Sequence, residues 1–67
     1  MASFKERLKE LRLEQLLTQR QLGKILNTSN MAISHWESGH SEPSIEQLIA
    51  LSIFFDVSVD YLVGKSD

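Results

Sequence analysis

The chain has 67 residues, no cysteine and a formal net charge of −2 at pH 7. This length allows one small domain over residues 1–67 with a modest core, and the lack of cysteine excludes disulfide bonds and thiolate metal sites. No apolar stretch reaches transmembrane length, and the charged residues from Lys5 to Glu10 exclude an apolar leader, so we expect a cytoplasmic protein without a membrane partner.

The first of five predicted helices begins at a capping box. Ser3 is a favourable N-cap residue, and Glu6 follows it at the spacing that lets the two residues cap each other. We expect this helix to run to about Leu16, with an apolar face formed by Phe4, Leu8 and Leu11. Serine or threonine N-caps also precede the later helices. No segment alternates apolar and polar residues with period two, as a half-buried strand would. The sequence therefore predicts an all-α fold.

Residues 18–39 predict two short helices joined by a tight turn. Thr18 is the N-cap of the first helix, and Gln21 completes its capping box. Asn27 tolerates the left-handed backbone conformation that ends this helix.

The second helix of the pair begins at the N-cap Ser29 and ends at Gly39. Its apolar face consists of Ile33 and Trp36. Two helices joined this closely have the geometry that presents a helix to the major groove of DNA.

A fourth helix begins after Pro43, with Ser44 as its N-cap and Gln47 completing the capping box. Its apolar face is predicted to consist of Ile45, Leu48, Leu51 and Phe55. A short fifth helix begins at the N-cap Ser58 and ends at Gly64.

The fourth helix carries more large apolar residues than its core face needs. Ile53 and Phe54 fall on opposite flanks of that face. With their neighbours they can form a patch of the kind used for association, which makes the candidate dimer interface Ile53, Phe54, Val57, Val59 and Tyr61. The alternative is that five packed helices bury both Ile53 and Phe54.

The charges are unevenly distributed along the chain. Residues 1–24 hold six basic and three acidic side chains, whereas residues 25–67 hold one basic and six acidic side chains. The net charge argues against a strongly basic nucleic-acid-binding domain, but phosphates can meet the basic end.

Several motifs of this chain together form the pattern of a known family. They are Leu17-Thr18-Gln19, Leu22, Ile33-Ser34, Trp36-Glu37, Gly39, Pro43-Ser44 and Asp56-Val57-Ser58-Val59. Residues 4–64 resemble the lambda-repressor-like, Xre-type helix-turn-helix proteins, including the Cro-like regulators. The resemblance implies a compact five-helix DNA-binding domain from a prokaryotic or phage regulator. It further implies a homodimeric repressor that binds an inverted-repeat operator in double-stranded DNA, with helix three in the major groove.

The resemblance also implies which residues contact DNA. Gln19, at the start of helix two, would contact a phosphate and brace helix three. Asn30 can pair with an adenine edge and Met31 can pack on a thymine methyl group, so we expect an operator that relies on A·T contacts. The full predicted DNA-binding set is Gln19, Arg20, Ser29, Asn30, Met31, Ser34, His35 and His40.

Four residues are assigned structural roles. Arg12 and Glu37 match positions that form an internal ion pair in the family, joining helix one to the end of helix three. Gly23 occupies a position where the family has a small residue, so that helices two and three approach closely. Trp36 is assigned to core packing.

The chain departs from the family pattern at two places. Leu16 stands where relatives often have Gly, so it either accepts left-handed strain or shifts the end of helix one. The loop after Gly39 contains His40, Ser41 and Glu42, where the family commonly places Lys or Arg. Fewer phosphate contacts predict weaker binding by one isolated domain and a shallower salt dependence.

The sequence favours neither an enzyme nor a cofactor-binding protein, because it has no phosphate-binding glycine loop, nucleophile elbow or zinc-protease motif. His35 and His40 are five residues apart with Gly39 between them, so they do not share a helical face and no metal site is expected.

The alternative function is a protein-interaction module that keeps the helix-turn-helix fold, such as an antitoxin or an anti-repressor. It is favoured by the acidic second half, the neutral helix three and the apolar flanks of helix four. Substitutions at Gln19 and Asn30 would impair a DNA-binding protein, whereas substitutions at Ile53 and Phe54 would impair the interaction module.

Overall fold

The computed structural model describes residues 3–65. Within them the chain forms five helices and no strand: α1 (Phe4–Glu14), α2 (Gln19–Ile25), α3 (Asn30–Ser38), α4 (Ile45–Phe55) and α5 (Val59–Leu62). The predicted all-α fold is confirmed, while the predicted domain bounds of 1–67 extend beyond the described residues. Between residues 3 and 65, every helix is too short or too polar to cross a membrane.

The predicted helix starts are present as side-chain caps. At α2 the Gln21 N–H donates to the Thr18 hydroxyl at 3.0 Å, and the Gln21 side chain accepts from the Thr18 N–H at 2.8 Å. The other helices start with hydrogen bonds from Ser3 to Glu6, from Ala32 to Ser29, from Gln47 to Ser44 and from Tyr61 to Ser58. Each cap satisfies a backbone donor that the helix itself leaves unpaired.

The helix ends follow the sequence with one shift. α1 ends at Glu14, two residues before its predicted end, because Leu16 adopts a left-handed φ of 58°. Of the two outcomes predicted for Leu16, the residue therefore accepts the left-handed backbone strain. Leu16 is 89% exposed. Asn27 has a φ of 57° and Gly39 has a φ of 81°, as their positions predicted.

The core lies between α1, the α2–α3 pair and the α4–α5 end of the chain. Its buried apolar side chains are Leu8, Leu22, Ile33, Trp36, Leu51, Phe55 and Leu62. The prediction that Ile45 belongs to the core face of α4 is wrong, because Ile45 is 76% exposed. It lies in the first turn of α4 and shares an exposed side with Ile49 and Ile53, four and eight residues later.

A buried arginine that the sequence did not reveal joins the two ends of the domain. Arg7 of α1 lies over the Tyr61 ring of α5, with its guanidinium carbon 4.1 Å from the ring centroid. The same guanidinium donates a hydrogen bond to the Tyr61 carbonyl oxygen. A cation over an aromatic face is attractive, so this contact holds α5 against α1.

Candidate nucleic-acid interface

A close approach at Gly23 fixes the angle between α2 and α3. A Cβ atom at this buried position would lie 3.0 Å from the Ser29 carbonyl carbon and 3.0 Å from the Thr28 carbonyl oxygen. Both distances are shorter than ordinary van der Waals contacts, and both neighbours are backbone atoms that cannot rotate away. Glycine therefore lets the turn before α3 pack directly onto α2, as its structural assignment predicted.

A buried ion pair fixes α3 against α1. The Arg12 Nε atom lies 2.6 Å from the Glu37 Oε2 atom, and the Arg12 Nη2 atom lies 3.0 Å from Oε1. The two side chains are only 9% and 5% exposed. A third donor, Arg12 Nη1, reaches the Leu17 carbonyl oxygen at 2.7 Å. The predicted pair is therefore present and bidentate, and its hydrogen bond to Glu37 raises the pKa of Arg12.

The same carboxylate also holds the first residue of α2. Gln19 Nε2 donates to the Glu37 Oε1 atom at 3.2 Å. One carboxylate thus receives donors from α1 and α2 while it belongs to α3. Through this contact Gln19 braces α3, and the half-buried Gln19 side chain lies at the junction of three helices.

The N-terminal half of α3 presents polar side chains to solvent. Ser29 and Asn30 are exposed, and Met31 is 63% exposed. Ser34 is half-buried and shares an open depression with Gln19. The Ser29 hydroxyl accepts the Ala32 N–H at 3.0 Å, so this residue acts as the N-cap and also lies on the surface of the predicted interface.

The other predicted DNA-binding residues lie around this surface. Arg20 is exposed on α2, and His40 is exposed in the loop after α3. The half-buried His35 ring lies 4.5 Å from the His40 ring, centroid to centroid. Within residues 3–65, no three histidine or carboxylate side chains gather in a way that would hold a metal ion.

The basic half of the chain has fewer available charges than its sequence implies. Of its six basic residues, Arg7 and Arg12 are buried in the contacts described above. The remaining four are exposed: Lys5, Lys9, Arg20 and Lys24. Phosphates can therefore meet four cations of the basic end rather than six, because internal packing uses two of its guanidinium groups.

The candidate dimer interface is only partly exposed to solvent. Ile53 is 74% exposed and Phe54 is 39% exposed, so the alternative that packing buries both is wrong. Val57 packs against the core, and Val59 is half-buried. The Tyr61 ring is covered on one side by the Arg7 guanidinium described above.

Comparison with known proteins places this geometry in a family. A helix-turn-helix family model matches residues 8–62, which include the Arg12–Glu37 pair and all of α2 and α3. The chain belongs to the helix-turn-helix family. The resemblance stated from the sequence is therefore confirmed.

Relatives and solved structures in this helix-turn-helix family are transcription regulators by name. The chain is 47% identical over 64 residues to the transcriptional activator BcrR of Enterococcus faecalis, covering 96% of this chain and 31% of BcrR. It is 37% identical over 65 residues to the transcriptional regulator ImmR of Bacillus subtilis, covering 97% of this chain and 51% of ImmR. The chain thus spans about a third of the length of BcrR and about half of the length of ImmR.

A solved helix-turn-helix structure matches the fold along its whole length. The c2 repressor of phage P22, crystallised in complex with a synthetic operator, superposes with a TM-score of 0.90 at 38% identity. The match covers 98% of this chain and 100% of the repressor chain in that crystal. The fold of this chain is therefore shared by a repressor that was crystallised on DNA.

Proposed function

We propose that this chain is a sequence-specific DNA-binding transcriptional regulator that acts in the cytoplasm as a repressor. The observation that carries the proposal is the exposed start of α3, where Asn30 and Met31 lie, on a helix held by the Arg12–Glu37 pair and by the close approach at Gly23. The similarity to the operator-bound c2 repressor supports the same use of α3 in the major groove.

Direct reading of bases is assigned to the first turn of α3. The exposed Asn30 amide can pair with the N6 and N7 atoms of adenine, and the exposed Met31 can pack on a thymine methyl group. The half-buried Ser34 and His35 follow on the same helix and reach the groove or its edge. Because α3 holds no Arg or Lys to pair with guanine, the operator is expected to rely on A·T contacts.

Phosphate contacts position this helix. Gln19 lies at the start of α2 and is already oriented by Glu37, so its side chain is placed without further ordering. Arg20, Ser29 and His40 are exposed around it and complete the proposed backbone contacts. Such contacts fix the register of the protein on the duplex and carry no sequence information themselves.

A homodimer on an inverted repeat is part of the proposal. The exposed Ile53 and Phe54 side chains of α4, with Val59 nearby in sequence, supply the apolar surface that a second copy would cover. Sedimentation of the wild-type chain and of Ile53→Asp, each mixed with a duplex selected from random DNA for binding to the wild-type chain, tests this interface. We expect two wild-type copies per inverted repeat and a single, weakly bound copy of the variant; two bound copies of the variant contradict the interface.

The test of the DNA-binding proposal is selection from random duplex DNA at low salt, followed by titration of the selected and a scrambled sequence. We expect a two-fold symmetric consensus with adenines at fixed positions. Asn30→Ala should weaken binding to the selected duplex by about 1–3 kcal/mol and leave the scrambled duplex unaffected. No enrichment, or a consensus of guanine-rich half-sites without fixed adenine, would refute the proposed readout.

A protein-interaction module is a second candidate because of the exposed apolar side of α4, where Ile45, Ile49 and Ile53 lie four residues apart. This candidate predicts that Ile53→Asp abolishes biological regulation while Asn30→Ala preserves it. The DNA-binding proposal predicts that Asn30→Ala abolishes regulation.

A further inference from the structure

One lysine lies beside the proposed DNA interface without an assigned role. An open depression between α1, α2 and α3 is lined by Lys9, Arg12, Gln19, Ser34, Glu37 and Ser38. Two of these residues, Gln19 and Ser34, belong to the proposed DNA-binding set. Lys9 comes from α1, and it enters the same depression although it is ten residues before Gln19 in sequence.

The charge of Lys9 is not used inside the protein. Its side chain is exposed, and within residues 3–65 it takes part in no hydrogen bond or ion pair. The one carboxylate that lines the depression, Glu37, already receives two donors from Arg12 and one from Gln19. Lys9 therefore adds a positive charge that has no ion-pair partner among residues 3–65 at the edge of the interface.

The neighbouring lysine on the same face of α1 differs in this respect. Lys5 lies one turn earlier on α1, with its Cδ atom 3.3 Å from the point that a Cβ atom on Gly39 would occupy, and it lines a depression together with Glu42. Lys5 thus shares its depression with Glu42, whereas among residues 3–65 the carboxylate that lines the depression around Lys9 is Glu37, which is already paired with Arg12. Lys9 is therefore an exposed lysine that lines the same depression as Gln19 and Ser34.

We propose that Lys9 binds a backbone phosphate of the operator, next to the phosphate approached by Gln19. The inference rests on the proposed DNA-binding function and adds α1 to the surface that holds the duplex. Lys9 would also supply part of the positive charge that the family commonly places in the loop after Gly39. In this chain that loop contains His40, Ser41 and Glu42. An ammonium group is suited to this role, since phosphate contacts dominate the salt-dependent part of DNA affinity.

The experiment compares Lys9→Gln with Lys65→Gln by fluorescence anisotropy on the selected and scrambled duplexes over a range of salt concentrations. Lys65 is an exposed lysine in the turn after α5, so its variant has the same net charge as Lys9→Gln. Lys9→Gln should flatten the slope of log affinity against log salt by about 0.9, and weaken binding about eightfold at 0.1 M salt on both duplexes. Lys65→Gln should keep the wild-type slope, and Lys9→Arg should restore it.

The outcomes separate this inference from the proposed function. If the wild-type chain prefers the selected duplex but Lys9→Gln keeps its slope, the role of Lys9 is refuted and the function stands. Equal loss in Lys9→Gln and Lys65→Gln also refutes it, because only the net charge would then matter. If the wild-type chain binds neither duplex, the proposed function fails and the role of Lys9 fails with it. Thermal melts equal to wild type establish that both variants fold.

Discussion

Removal of Arg12 is the sharpest test of how α3 is held. Arg12→Met would leave the Glu37 carboxylate, 5% exposed, with only the Gln19 amide as a partner at 3.2 Å. Breaking one side of a buried pair costs about 3–5 kcal/mol, and the Gln19 hydrogen bond places the expected loss near the lower value, about 3 kcal/mol. A domain of this length has a total stability on the order of 3–10 kcal/mol, so the loss is a large fraction of it.

Thermal unfolding followed by circular dichroism at pH 7 measures this loss. Each 1 kcal/mol shifts the Tm of a small domain by about 4–8 °C, so we expect Arg12→Met to melt roughly 12–24 °C below wild type. Because the Glu37 hydrogen bond raises the pKa of Arg12, the stability that depends on the Arg12 charge is present at pH 7 and is lost only as the pH rises above the range in which free arginine loses its proton.

The matched control is the double variant Arg12→Met/Glu37→Met, which removes both charges and leaves apolar side chains of similar length. Replacing a whole buried pair in this way is often neutral, so the double variant should recover most of the lost Tm. The reasoning is refuted if Arg12→Met melts within a few degrees of wild type, or if the double variant melts no higher than the single one.

Local backbone geometry and capping give three further measurable outcomes. Leu16→Gly should raise the free energy of unfolding in urea by about 0.5–1 kcal/mol, because it relieves a φ of 58° on an exposed side chain. Asn27→Gly is its control at a φ of 57° and should gain less; an equal gain contradicts the strain argument. Gly23→Ala should lower the free energy of unfolding by about 1–2 kcal/mol despite its better helix propensity, because the Cβ atom would meet backbone at 3.0 Å; a more stable variant contradicts the close approach. The backbone N–H and hydroxyl of Ser3 lower the pKa of Glu6, so this cap is stabilising above the usual glutamate range and is lost as pH falls through the lowered pKa. NMR titration of Ser3→Ala should show part of that shift reversed, and an unchanged Glu6 curve would contradict the hydroxyl contribution.

Local signals predicted most of the fold because they act within a few residues. The caps at Thr18 and Ser44 and the left-handed turn at Asn27 each depend on side chains next to the backbone they satisfy. The Arg12–Glu37 pair spans 25 residues and was expected only through the family resemblance.

Long-range packing decided what the sequence did not reveal. Ile45 has the helical spacing of a core residue, but as the first residue of α4 it is 76% exposed. From the sequence Arg7 is expected to be an exposed charge. Its guanidinium group nevertheless lies over the ring of Tyr61, 54 residues later in the chain. The place of Lys9 beside Gln19 depends on how α1 crosses the α2–α3 pair, which periodicity within α1 does not specify.

The Arg12–Glu37 ion pair connects the stability of the fold to the way in which the proposed interface must distinguish one DNA sequence from another. Glu37 ties α1 and α2 to α3, so a change that loosens it moves Gln19 and the exposed turn of α3 together. Since Arg7 and Arg12 are committed to internal contacts, four exposed cations serve the basic half of a chain with net charge −2. Such a domain gains little affinity from charge alone, and its preference for one duplex has to come from side chains held in fixed positions. We therefore expect a shallow salt dependence together with a full cost of about 1–3 kcal/mol for each mismatched base pair that α3 reads.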